Sequence, residues 1–174
     1  PGTGRYIAAS LPFAADVSES DKEVLLIWKD NGLFMLRHRV LSVGALTSAF
    51  LQDAIPDAGG CPAPLGPIAV DNIAYWPSYR GFYMMGPDLQ PQYIGRPLEV
   101  FWTTVPKNRI PHIKSAYLQD LGQIWFTISG AGSAGGTQTT NNKICVWSTA
   151  FRRWVGIHSG INANVMCEFI DSNL

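Results

Sequence analysis

Val24-Leu25-Leu26-Ile27-Trp28-Lys29-Asp30-Asn31-Gly32-Leu33-Phe34-Met35-Leu36 sets two apolar runs on either side of a short polar break. Val24 to Trp28 is strand-like, Lys29 to Gly32 is a turn, and Leu33 to Arg37 is a second strand. Asn31-Gly32 is expected to supply the positive φ of a tight hairpin turn. The segment from Glu23 to Val43 therefore reads as a β-hairpin.

The same alternation of strand and turn recurs along the chain. Ile68 to Val70 and Ile73 to Trp76 flank the turn pair Asp71-Asn72. Pro77-Ser78-Tyr79-Arg80-Gly81 turns again, and Phe82 to Met85 returns as a strand before Gly86-Pro87-Asp88. Three strands joined by such short turns form a meander that packs without a helix. Beyond His112, strands are expected at Ile113 to Leu118, Gln123 to Ser129, Lys143 to Trp147, Phe151 to Ile157 and Val165 to Ile170. Strand-and-turn units every ~8–12 residues are the spacing of sandwiches, barrels or propeller blades.

Helix signals are few and short. Ala45 to Ala54 reads as a short helix ended by Ile55-Pro56-Asp57. Leu98 to Thr104 fits either a strand or a helix, with Pro97 favouring a helix start. The loop from Gly59 to Pro67 is too rich in Pro and Gly for regular structure. No helical pattern exceeds about three turns, which argues against an α/β fold.

Composition sets further bounds. Of the 174 residues, 47% are apolar and 15% charged, which excludes a disordered chain and a coiled coil. Lys+Arg and Asp+Glu are both 13, so the net charge is zero and the basic excess of a dedicated nucleic-acid binder is missing. The run Val24 to Trp28 falls far short of the ~20 residues of a membrane-spanning helix. Pro1-Gly2-Thr3-Gly4-Arg5 lacks the layout of a secretory signal. The chain does not begin with Met and is expected to be a segment of something longer. Cys61, Cys145 and Cys167 are widely spaced, without C-x-x-C. That pattern points to buried free thiols rather than disulfides or zinc ligands.

Several residue patterns are candidates for chemistry. Gly130-Ala131-Gly132-Ser133-Ala134-Gly135 satisfies G-x-G-x-x-G after a strand. It runs into Gly136 to Asn142 instead of a helix, and no acid follows about 20 residues on, so a long hairpin loop is the better reading. His38, His112 and His158 form no H-x-x-x-H pattern. His158-Ser159 are neighbours in a strand and so point to opposite faces. Asp16, Glu19, Asp21 and Glu23 lack the Gly and terminal Glu of a calcium loop. Lys107, Arg109, Lys114, Arg152 and Arg153 lie near turns, where a basic surface is conceivable. Trp28, Trp76, Trp125, Trp147 and Trp154 fall in or beside strands and read as core. No catalytic residue, cofactor-binding residue or metal ligand is assigned, and the chain is not read as an enzyme.

The order of local motifs resembles a family of phage virion proteins with a β-propeller domain: tail-nozzle, tail-hub and packaged-DNA stabilisation proteins. The family's apolar strand, turn and second strand match Val24 to Leu36, and its Gly-Cys-x-x-Pro loop matches Gly60-Cys61-Pro62-Ala63-Pro64. Ile73 to Trp76, Ser78-Tyr79-Arg80-Gly81 and Phe82 to Met85 follow the family order. A strand of the I-G-x-P-L type is matched by Tyr93 to Leu98. The final blade is matched by Ile124 to Thr127, then Asn142 to Trp147, then Arg153 and Trp154.

The resemblance spans roughly residues 23 to 157. It implies an all-β chain of antiparallel meanders, part of a β-propeller-like domain with few short helices. Residues 1–22 are expected to be an irregular N-terminal segment and 23–174 the propeller-like domain, with room for about four blades of ~40 residues. It further implies a structural virion protein: a tail nozzle, tube or head-to-tail adaptor, made in the host cytoplasm. Such a protein forms a homo-oligomeric ring through which DNA is retained and ejected. Its partners are identical subunits, neighbouring portal, adaptor or tail proteins, and transiently DNA in the lumen, with no membrane span. The alternative is a propeller or sandwich module that binds glycans on a host surface, motivated by the Trp and Tyr content. A hydrolase or lyase has the least support.

Overall fold

A computed structural model describes residues 7–16, 23–42, 47–130 and 140–164, with the backbone alone for 39–42 and 47–49. The chain is mostly β, as the turn spacing requires. Its first sheet holds β1 (Ile7–Ala14), β2 (Glu23–Lys29), β3 (Gly32–Ser42) and β4 (Thr47–Ile55). The second holds β5 (Ile68–Val70), β6 (Ile73–Ser78), β7 (Gly81–Met85) and β8 (Pro91–Tyr93). The third holds β9 (Lys114–Leu118), β10 (Gln123–Ile128), β11 (Lys143–Ser148) and β12 (Arg153–Ser159). Each sheet is an antiparallel meander in chain order. Helix is confined to α1 (Glu99–Trp102) and 3-10 turns at Arg96–Leu98, Lys107–His112 and Gln119–Leu121. Among the described residues neither a closed barrel nor a propeller is identified.

The burial pattern shows how the sheets stack. In β2, buried Val24, Leu26 and Trp28 alternate with less buried Leu25 and Ile27, the mark of a sheet covered on one face. In β6 every residue from Ala74 to Ser78 is buried, so the second sheet is covered on both faces. Trp76 and Tyr83 are cross-strand partners on one face, and their stacked rings lie 5.7 Å apart. Trp28 of the first sheet meets Trp76 there at 5.8 Å. Tyr75 and Phe82 point to the other face, where Tyr75 meets Trp147 at 6.2 Å and Phe82 meets Phe126 at 4.8 Å. The core is thus two aromatic layers on either side of one sheet.

The first strands of the three meanders lie side by side: β1 against β5, and β5 against β9. Leu65, just before β5, forms a parallel bridge to Lys114, and the Ser115 amide donates to the Leu65 carbonyl at 2.9 Å. Asp71 and Asn72, at φ of 50° and 57°, form the β5–β6 turn with both central residues left-handed, as a type I′ turn requires. The Asn72 side chain then grips β1: its Nδ2 donates to the Ala14 carbonyl (2.9 Å) and its Oδ1 accepts from the Ala14 amide (3.2 Å). Asn72→Ala removes both bonds and places alanine in a left-handed position. We expect a loss of about 1–3 kcal/mol by urea denaturation, with Asn72→Asp retaining part of the stability.

Some segments differ from the sequence expectation. The helix expected at Ala45 to Ala54 is instead strand β4 from Thr47 onward, paired with β3 along its length and held by an Arg37–Asp53 ion pair at 2.9 Å. An isolated ten-residue helix is marginal in water, whereas pairing satisfies the backbone against a strand already present. The N-terminal segment expected to be irregular contains β1, and the Tyr93 to Leu98 strand is replaced by the end of β8 and a 3-10 turn opened by Gly95 and Pro97. Leu98 to Thr104, open between strand and helix in the sequence, contains the short helix α1 and no strand. The β2–β3 turn is a two-residue loop, Asp30-Asn31, with Gly32 already paired to Lys29, and none of the three has positive φ. Three meanders are present among the described residues, where about four blades were expected. The expected strand Val165 to Ile170 lies outside the described residues.

Candidate functional site

Concave surfaces, two of them sizeable, form where the meanders meet. One is a groove of about 510 Å³ bordered by the first strands: Ala9 to Leu11 of β1, the Pro64 to Ile68 approach to β5, and Lys114 and Ser115 of β9. Its polar contribution is small, chiefly Ser10, Ser115 and Lys114.

The other is a cleft of about 720 Å³ at the hairpin end of the first two sheets. Three separate turns build it. The Asp30-Asn31 turn and the Asp57 to Gly60 loop form one wall, and the Tyr79-Arg80 turn with Tyr83 and Tyr93 forms the other. The two walls are locked to their sheets. The Cys61 amide donates to the Lys29 carbonyl at 2.8 Å, and the indole of Trp76 donates to the Ala58 carbonyl at 3.2 Å. Gly59, at φ +57°, has the left-handed backbone the loop needs to turn back on itself. On the opposite wall, the Trp102 indole fixes the Tyr79 carbonyl at 3.1 Å.

Tyr93 is held rigidly. Its hydroxyl donates to the Arg80 carbonyl at 3.1 Å, and its ring meets Tyr83 edge-on at 5.3 Å. A side-chain carbon at Gly81 or Gly95 would press on the Tyr93 ring or hydroxyl within 2.9 Å, so both glycines make room for it. Burial, and after it the negative charge of Glu99, raises the Tyr93 phenol above its usual value. It therefore stays protonated and remains a donor. Asp30 Oδ1 is buried without a donor among the described residues.

The three histidines have separate surroundings. His38 packs edge-on against Phe50 at 5.5 Å, His158 stacks on Trp125 at 6.1 Å, and the His112 carbonyl accepts from Asn141. Among the described residues no group of three or more His, Cys, Asp or Glu converges. Asp16 and Glu23 are placed, whereas Glu19, Asp21 and most of the Gly130 to Gly135 motif lie outside the described residues. Arg109 donates to Ser129, Lys114 borders the first-strand groove, and Arg153 lies over Phe151 at the β11–β12 turn. No described helix is long and apolar enough to cross a membrane. The cleft itself was invisible to motif reading, because its residues come from four separate stretches, each looking like an ordinary turn.

Cys61 and Cys145 are buried free thiols, each pushed up to about 12 by burial. At pH 8 the thiolate fraction is then about 10⁻⁴, against about a tenth for an ordinary thiol. Iodoacetamide with peptide mass spectrometry is expected to label both at least ~10³ times more slowly in the native protein than in denaturant. The sign of the pH effect follows. The unfolded chain releases these protons near 9 and the folded one near 12, so stability falls as pH rises between those values.

A scan against models of known protein families finds no match to this chain, and a search of curated proteins finds no relative. What the fold and its surfaces define is a class: an all-β chain of consecutive four-stranded meanders with an open polar-aromatic cleft between the first two.

Proposed function

We propose that the chain is a structural, non-catalytic part of a propeller-like domain in a phage virion. In this reading it is a tail nozzle, tube or adaptor component that assembles with identical copies into a ring through which DNA is retained and ejected. The observation that carries the propeller reading is the placement of β1, β5 and β9. In a propeller each blade is a four-stranded meander, and the blades meet radially around a central axis. Three meanders in chain order, with their first strands adjacent, fit consecutive blades of such an arrangement. The viral reading rests on the motif order between residues 23 and 157.

The physics of such a part is compatible with what the chain offers. Radial packing leaves only short sheet edges, which limits uncontrolled edge-to-edge pairing between neighbouring copies. A zero net charge removes long-range repulsion between copies. Weak phosphate attraction also suits a lumen through which DNA must slide. Electron microscopy of purified particles, with the chain located by a specific antibody and its presence verified by mass spectrometry, tests the proposal. Labelling at the tail is the expected result. A purified virion that lacks the chain would overturn it.

A further inference from the structure

We propose that the cleft between the first two meanders binds a neutral saccharide. The inference rests on the geometry of the cleft and stands independently of the assembly proposed above.

The volume, about 720 Å³, lies within the ~300–1,000 Å³ usual for small-molecule sites. The lining then selects among ligands. Tyr79 and Tyr93 are 45% and 38% exposed, so aromatic surface is open to solvent at the cleft. An aromatic face accepts the C–H face of a sugar ring while its hydroxyl end stays wet. Asp30 and Asp57 bring carboxylate acceptors, and Arg80 brings guanidinium donors. Sugar hydroxyls both donate and accept, so one polyhydroxylated ring can serve both kinds of partner. The Asp30 side chain borders the cleft, where a carboxylate acceptor can take a bond from a sugar hydroxyl.

Other ligand classes fit less well. A phosphate-bearing ligand would face two carboxylates against one guanidinium. An apolar ligand would bury Asp30 and Arg80 against hydrocarbon and leave them unpaired. The site is also pre-organised. Tyr93 is locked by Gly81, Gly95 and its bond to the Arg80 carbonyl, and the Tyr79 backbone by Trp102, so little ordering cost remains for binding.

The test uses the intact chain and an array of immobilised neutral oligosaccharides, including chito-, malto- and galacto-oligomers. Saturation-transfer NMR and calorimetry then follow on those retained. Binding of at least one oligosaccharide is expected. Asp30→Asn and Tyr79→Ala are each expected to weaken it about 10-fold or more, the loss expected when a charged acceptor or a stacking face is removed. Tyr79→Phe keeps the ring and should retain binding. The unfolding midpoint of each variant is measured alongside, so that binding is read from folded protein. Absence of binding to every oligosaccharide at ~10 mM would overturn the proposal. So would binding that survives both Asp30→Asn and Tyr79→Ala.

Discussion

Phe82→Ala is expected to destabilise the fold by about 3–5 kcal/mol, enough to unfold a marginal domain at room temperature. The side chain is 1% exposed. It lies 4.9 Å from Trp102, 4.8 Å from Phe126 and 4.7 Å from Trp154, ring centre to ring centre. Those three rings come from the helical segment after β8 and from two strands of the third sheet. Removing Phe82 thus opens a cavity where three elements converge on the second sheet, and close packing lets the walls relax only partly. Urea denaturation followed by tryptophan fluorescence measures the effect. Phe82→Leu, which keeps much of the volume, should recover a large part of the loss. A change below 1 kcal/mol for Phe82→Ala would mean that the second and third sheets do not pack as described.

Gly60→Ala is the second large effect, expected at about 3 kcal/mol, the upper part of the range for overpacking. A side-chain carbon at Gly60 would fall onto the backbone of Asp30 and Asn31. Backbone cannot rotate away as a side chain can, so either the hairpin turn or the loop must move. That movement would also strain the bond from the Cys61 amide to the Lys29 carbonyl and distort the cleft wall. Gly156, in β12, supplies the matched control, since a side-chain carbon there meets nothing within 4 Å. Gly156→Ala is expected to be neutral or stabilising by up to ~1 kcal/mol through reduced freedom of the unfolded chain. Equal effects at the two positions would contradict the docking of the Gly60 loop on the β2–β3 hairpin.

The strands that were legible in the sequence carried their signal locally. Val24 to Trp28, Ile73 to Trp76 and Lys143 to Trp147 are dense in β-branched and aromatic residues and bounded by turn residues, and each appears as a strand. The strands that were missed depend on neighbours. β1 reads IAASLPFA, with small residues and a proline, and is defined by pairing with β2. β4 reads TSAFLQDAI, a sequence compatible with helix until β3 offers its edge. β8 is three residues long and begins with proline, too short for any periodicity to show. Buried Cys61 and Cys145 were legible from spacing alone, whereas their shared aversion to ionisation is a consequence of the surrounding packing. The cleft was illegible for the same reason as β4: Asp30, Gly60, Arg80 and Tyr93 become neighbours only through the stacking of two sheets.

We propose above that this chain contributes consecutive blades to a ring-forming virion part. A cryo-electron microscopy reconstruction of the intact assembly from purified particles is the decisive experiment. The expected result is several copies around the particle's tail axis, each with three successive four-stranded meanders whose first strands β1, β5 and β9 face a common axis. A reconstruction of the tail in which every ring is fully accounted for by other chains would contradict it.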